Sequence, residues 1–218
     1  MHLNPNLPKK ILAWYDNNKR SLPWRNKCSE KKKEYLTILS EFMLQQTQVT
    51  TVIPYFNNFL KNIPNIETLA KTKEKNLLKY WKGLGYYSRA KNLKESAKII
   101  VDKYNGRLPN SYEELKKLPG IGDYTASAIL AIVFNKKIIP LDGNVERVLI
   151  RFLNLKTEKE IKKANLNKLK KVFGKANRSN DYAQALMEMG SLICKPKIPI
   201  CNLCPITKNC LSFKKKDF

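Results

Sequence analysis

Apolar residues recur along this chain at intervals of three and four, the spacing of one buried face of an α-helix. No segment sustains the strict alternation of a strand. Leu36, Leu39 and Met43 form one such stripe. The pattern predicts helices over residues 9–18, 34–46, 48–62, 66–70, 73–79, 88–105, 111–117, 125–134, 143–153, 157–172 and 182–193. Breaks are expected at Pro64, Gly83-Leu84-Gly85, Asn105-Gly106, Pro119-Gly120 and Pro140, where proline and glycine interrupt helical hydrogen bonding. Ser111 followed by Glu114 has the form of a capping box. The lysine-rich residues 27–33 read as a solvated loop, and Lys214-Lys215-Lys216 as a basic tail. The expected fold class is all-α.

One break carries chemistry. Leu118-Pro119-Gly120-Ile121-Gly122-Asp123-Tyr124-Thr125-Ala126 is a tight turn that opens directly into a helix. Gly120 and Gly122 are expected to take positive φ and to let another molecule approach the backbone. The unpaired N–H groups of the new helix then offer a seat for an anion such as a phosphate. An isolated acid, Asp142, follows within reach of the same strand if that anion is a DNA phosphate.

Charge supports a polyanionic partner. The 218 residues carry a formal net charge of +24, which draws a protein to nucleic acid. Seven of the 42 basic residues are arginine and the other 35 lysine, a bias that an AT-rich genome also produces. The apolar fraction of 43% is ordinary for a globular protein. No apolar run approaches the roughly 18–20 residues of a membrane span, and Met1-His2-Leu3-Asn4-Pro5 lacks the form of a secretory signal. A cytoplasmic, nucleoid-associated protein without a membrane partner is expected. The single histidine, His2, leaves no place for Ser-His-Asp or Cys-His catalysis. Acid–base work falls to carboxylates, tyrosine or lysine.

Cys194, Cys201, Cys204 and Cys210 are spaced C-x6-C-x2-C-x5-C. Four thiols in so short a span point to a metal site, and tetrathiolate ligation suits zinc and an iron–sulfur cluster alike. Lys195, Lys197 and Lys208 lie beside them, where a pinned loop would present them to phosphates. Cys28, the fifth cysteine, reads as a free thiol.

Several segments accompany the turn in a fixed order: Arg20-Ser21-Leu22-Pro23-Trp24-Arg25, Ser40 to Val49 with Gln45-Gln46-Thr47 inside it, Gly83-Leu84-Gly85-Tyr86-Tyr87-Ser88-Arg89, Leu141-Asp142-Gly143-Asn144-Val145, and the four cysteines. Together they resemble the helix-hairpin-helix DNA glycosylase superfamily, and within it the adenine DNA glycosylases, which remove adenine mispaired with 8-oxoguanine. The likeness runs from about Arg20 to Cys210. It implies a two-lobed fold with double-stranded DNA in the cleft between the lobes. One lobe is a six-helix barrel over residues 23–135. The other, residues 1–22 and 136–218, carries a [4Fe–4S] cluster on Cys194, Cys201, Cys204 and Cys210. A monomer acting on A:8-oxoG and A:G mispairs is expected.

Cleavage of an N-glycosidic bond needs protonation of the departing base and stabilisation of an oxocarbenium-like sugar, tasks that suit two carboxyl groups held in different environments. Glu41 lies on an apolar helix beside Phe42 and Met43, where desolvation favours a protonated acid. Asp142 precedes a helix and reads as its N-cap, where N–H donors favour the ionised form. The resemblance makes Glu41 the general acid and Asp142 the stabiliser or trap of the sugar cation, supported by Asn144 and Tyr124. It places Gln46 and Tyr86 in the opened duplex and Arg20, Leu22 and Trp24 along the adenine pocket, with Arg25 and Thr47 among the DNA contacts. Gln184 becomes a polar contact to the base, and Gly120 and Gly122 hold the strand. Relatives that also cut the backbone carry a lysine where this chain has Tyr124, so a monofunctional glycosylase is expected.

Three departures from the family pattern stand out. Relatives continue into a Nudix-like domain that helps read 8-oxoguanine, a support these residues do not include. The segment between Trp24 and Glu41 is longer than usual, and Glu34 replaces a frequent proline. Two other readings share this architecture: a mismatch-specific thymine glycosylase and a non-catalytic DNA-binding relative.

Overall fold

The computed structural model describes residues 6–156 and 176–217, and every regular element among them is helical. In chain order the helices are α1 (Leu7–Asn18), α2 (Glu30–Leu44), α3 (Val49–Asn62), α4 (Ile66–Lys71), α5 (Glu74–Trp81), α6 (Ser88–Tyr104), α7 (Tyr112–Lys116), α8 (Asp123–Ile132), α9 (Gly143–Leu153), α10 (Ser179–Leu192) and α11 (Leu211–Lys214). The expected helix over 157–172 and His2 lie outside the described residues. The chain divides into two compact units, Ser21–Val133 and Met1–Arg20 with Phe134–Phe218.

In the unit Ser21–Val133, α2 packs against the 3₁₀ turn Pro23–Arg25 and against α3, α6 and α8. Every side chain from Glu34 to Met43 is buried, polar ones included. The helix starts at Glu30, four residues before the expected start at 34, so the solvated loop expected over 27–33 is shorter. Ser29 caps it by accepting from the Lys32 N–H at 3.4 Å, and the lysines of the first turn find partners outside the stripe. Lys31 pairs with Glu67 at 2.5 Å, and Lys32 donates to the Pro64 carbonyl at 2.7 Å. Glu34, which stands where relatives often have proline, is buried and accepts from Arg107 Nε at 2.8 Å and the Leu108 N–H at 2.7 Å. Its charge is thereby balanced by a cation and a backbone donor. α6 ends where Asn105 turns left-handed at φ 53°, and the Gly106 N–H closes back on the Ile100 carbonyl. The capping box at Ser111 is only half formed. Its hydroxyl accepts from the Glu114 N–H at 3.4 Å, while the Glu114 carboxylate turns to Lys117 and Tyr104.

In the other unit, α10 packs on α1 and α9, and α11 packs on α9. Leu7, Ile11 and Tyr15 of α1 meet Val145, Val148, Leu149 and Phe152 of α9 and Tyr182, Leu186 and Met189 of α10 in one core. Cys194, Cys204 and Cys210 pack against the same core. Arg178, before α10, grips Asp16 of α1 through two hydrogen bonds of 3.0 and 2.7 Å.

Candidate active site and nucleic-acid interface

In the unit Ser21–Val133, the predicted turn lies between α7 and α8. Gly120 has φ +78°, and a Cβ there would come within 2.7 Å of the Phe42 ring and 2.9 Å of Asn92 Cβ. Glycine is required on both counts. Gly122 corrects the sequence expectation. It is extended at φ −87°, ψ −176°, serves as N-cap of α8, and an added Cβ meets nothing within 4 Å. The helix it opens starts at Asp123 and not Thr125. Its N-cap, Gly122, has no side chain with which to cap the helix. The turn is tied to its neighbours by Gln45 Nε2 donating to the Gly120 carbonyl at 3.2 Å and Ser96 Oγ donating to the Pro119 carbonyl at 2.8 Å. The exposed Asp123 carboxylate is engaged by the Tyr112 hydroxyl at 2.8 Å and Lys116 Nζ at 2.5 Å. Tyr124 is half-buried on the first turn of α8.

Glu41 is 5% exposed, within the buried run of α2. Its sequence neighbour Phe42 is the residue on which Gly120 rests. Leu22 is buried, while Trp24 is half-buried and meets the Phe56 ring edge-on with centroids 5.2 Å apart. Arg25 and Thr47 are half-buried. Gln46 and Tyr86 are both exposed, and both are non-glycine residues with left-handed backbone, φ 56° and 46°.

Sequence reasoning named Arg89 within a motif but gave it no role. Its side chain is buried at the start of α6 and donates to carbonyls of Phe42, Met43 and Gln45 on one side and of Leu84 and Gly85 on the other. Burial pulls its pKa below the ordinary arginine value, and the nearby Tyr86 opposes that shift. The signal was present in the pattern: Arg89 falls in register with Leu93, Ala97 and Ile100, a cation on the apolar face of its helix.

In the other unit, Asp142 is the N-cap of α9. Its Oδ1 accepts from the Val145 N–H at 2.7 Å and its Oδ2 from Asn144 Nδ2 at 3.0 Å. Arg147, absent from the sequence reading, holds Asn144 in turn. Its Nη2 donates at 2.8 Å to Asn144 Oδ1 and to the Gly190 carbonyl, and its Nε donates at 2.7 Å to the Cys194 carbonyl. Gly190 lets α10 approach this point, since a Cβ there would lie 2.7 Å from Asn144 Cβ. Arg20 makes a bidentate pair with Glu188, through Nε at 2.8 Å and Nη2 at 3.1 Å, and the Glu188 side chain is wholly buried. Gln184 is buried and donates back to the Asn180 carbonyl of its own helix at 3.2 Å.

The four cysteines are half-buried, and two of them lie against Arg151. Arg151 Nη1 lies 3.5 Å from Cys194 Sγ, and Cys210 Sγ lies 3.5 Å from the Arg151 carbonyl. Burial first, and then the neighbouring thiols Cys194 and Cys210, push the Cys201 and Cys204 pKa values up. Burial also raises Cys210, against backbone N–H donors from Phe213 and Ser212. Even so, among the described residues no three His, Cys, Asp or Glu side chains converge closely enough to hold a metal ion. Lys195, Lys197 and Lys208 are exposed beside the cysteines, and no helix among the described residues is long and apolar enough to cross a membrane.

A model of the HhH-GPD superfamily of base excision DNA repair proteins matches residues 39–173, and the chain belongs to that superfamily. Within it, the chain is similar to adenine DNA glycosylases. That of Buchnera aphidicola subsp. Baizongia pistaciae (strain Bp) is 45% identical over 204 residues, 93% of this chain, and the chain spans 57% of that relative's length. Among solved structures, a thermostable thymine-DNA glycosylase superposes with a TM-score of 0.82 at 27% identity, over 95% of each chain. A trapped endonuclease III–DNA covalent intermediate superposes with a TM-score of 0.75 at 20% identity, over 96% of this chain and 95% of that one, a likeness of fold alone.

Proposed function

We propose that these residues form the catalytic part of a DNA glycosylase that hydrolyses the N-glycosidic bond of adenine opposite 8-oxoguanine or guanine. The observation that carries the reading is Asp142, whose two carboxylate oxygens each accept a hydrogen bond at the start of α9. A carboxylate held in this way is preorganised to face developing positive charge. Glu41 gives its proton to N7 of the departing adenine. Asp142 stabilises or traps the sugar cation, Asn144 fixes its orientation, and water completes the hydrolysis. Tyr124 supports the aspartate and the leaving base. Leu22 and Trp24 serve the adenine, as do Arg20 and the polar side chain of Gln184, and Arg25 contacts the DNA. The base leaves the stack as Gln46 and Tyr86 enter the duplex, with Thr47 beside them. The strand is held by Gly120 and Gly122 at the turn that opens α8.

In this reading the six-helix barrel spans residues 23–135 and the cluster lobe residues 1–22 and 136–218. The protein acts as a monomer on double-stranded DNA in the nucleoid. The chemistry of the donor set suits a [4Fe–4S] cluster on Cys194, Cys201, Cys204 and Cys210. When bound, the cluster supplies a rigid staple across the loop that carries Lys195, Lys197 and Lys208. Removing its iron by chelation is expected to lower DNA affinity at least tenfold, on the order of a lost phosphate contact set, while circular dichroism keeps most of its helical signal. Unchanged affinity in the iron-free protein would remove the staple from the account.

The deciding experiment incubates the protein with duplexes holding A:8-oxoG, A:G, T:G and oxidised pyrimidines. Adenine release from the first two is expected. Because a tyrosine at position 124 forms no Schiff base, no borohydride-trapped adduct should accompany it, and one that forms as efficiently as base is released would overturn monofunctionality. Thymine release without adenine release would favour the second reading, a thymine glycosylase, which the 0.82 superposition over 95% of each chain supports. Binding without release from any duplex would leave only the non-catalytic one.

A further inference from the structure

Gln46 and Tyr86 lie in different loops, 40 positions apart in the chain. Each adopts a left-handed backbone that side chains other than glycine rarely take. Such conformations persist where the surroundings fix them, and here a single side chain lies under both. One terminal nitrogen of Arg89 donates to the Met43 carbonyl at 2.8 Å, the Phe42 carbonyl at 3.2 Å and the Gln45 carbonyl. These are the open carbonyls at the end of α2, where a cation is also favoured by the helix dipole. The other terminal nitrogen donates to the Leu84 and Gly85 carbonyls at 3.2 Å each, immediately before Tyr86. The guanidinium also lies 5.3 Å from the Tyr86 ring and 5.6 Å from that of Trp81, whose Nε1 donates to the Gly85 carbonyl at 3.1 Å.

The arrangement is more than a packed charge. All the carbonyls belong to backbone that leads into Gln46 or Tyr86. The Arg89 Nε–H is buried with no partner, so the group is oriented by the demands of the two loops at the expense of its own third donor direction. A lysine has one compact ammonium and cannot bridge both loops with a planar fork. We infer that Arg89 is a positioning residue that joins the two loops into one wedge, so that Gln46 and Tyr86 enter the duplex as a coupled pair. The inference rests on the reading above in which both residues penetrate the opened duplex.

Coupling has a thermodynamic signature that a purely structural role lacks: the effects of two substitutions cease to multiply. The probe is a duplex with 2-aminopurine in place of the target adenine, opposite 8-oxoguanine, whose fluorescence rises on unstacking. Gln46→Ala and Tyr86→Ala are each expected to lower the unstacked population about tenfold. Together they are expected to lower it by well under the hundredfold product, as linked residues do. In an Arg89→Lys chain the same two losses multiply. Singles that multiply with Arg89 intact overturn the coupling and leave the wedge reading standing. Singles that leave unstacking unchanged overturn the wedge reading itself. A coupling that survives Arg89→Lys at full size overturns the role of the guanidinium. If Arg89→Lys fails to fold, the cycle in the native chain, with a thermal melt of each variant beside it, still decides whether the loops act as one.

Discussion

Replacing Glu41 with glutamine is expected to leave the protein folded and to lower adenine release by about a thousandfold, in the range general-acid catalysis contributes. The side chain sits within a helical stretch buried from Glu34 to Met43. Glutamine matches its volume and keeps a polar group where one is already accommodated, so packing around Phe42 and Met43 is retained. What is lost is the transferable proton. A purely structural glutamate would give the opposite pattern, with a lowered melting temperature and single-turnover rates near those of the native chain. The measurement is single-turnover excision from an A:8-oxoG duplex beside a thermal melt of the same preparation. A melting shift without a rate loss sinks the catalytic assignment.

The second large effect concerns stability. Arg20→Ala is expected to destabilise the protein by about 3 kcal/mol, the lower end for breaking a buried ion pair from one side. Glu188 has no exposed side-chain surface, and Arg20 supplies it with two parallel hydrogen bonds. Alanine withdraws a bidentate cation from a carboxylate that water does not reach. Exchanging both partners for apolar residues, Arg20→Met with Glu188→Leu, should recover most of the loss, because the expense lies in the stranded charge. Urea denaturation of the native chain and these two variants separates these outcomes. Equal losses in the single and double variants would mean that the pair contributes through packing.

The helices were legible wherever a stripe ran cleanly from cap to cap. α9 spans Gly143–Leu153 as its periodicity predicts, because Asp142 supplies an N-cap and Asn154 a left-handed end at φ 53°. α2 was clipped by four residues because its first turn is made of lysines whose partners, Glu67 and the Pro64 carbonyl, lie far along the chain. The two glycines of the hairpin look alike in sequence. Only the ring of Phe42 beneath Gly120 and the open space beside Gly122 tell them apart. No role was read for Arg89 or Arg147, for a shared reason. Their partners are mostly backbone carbonyls from distant segments, and a carbonyl leaves no mark on residue identity. Asn144, by contrast, entered through the family resemblance, and its partner Asp142 lies two residues away.

The contact between Gly120 and Phe42 has a consequence for how a target would be found. With no side chain between them, the turn packs directly on the acid-bearing helix. If a backbone phosphate is seated at that turn, the nucleotide opposite Glu41 is set by a fixed offset along the strand. The protein then works as a ruler, with recognition of the base reduced to inspecting whichever nucleotide arrives at the mark.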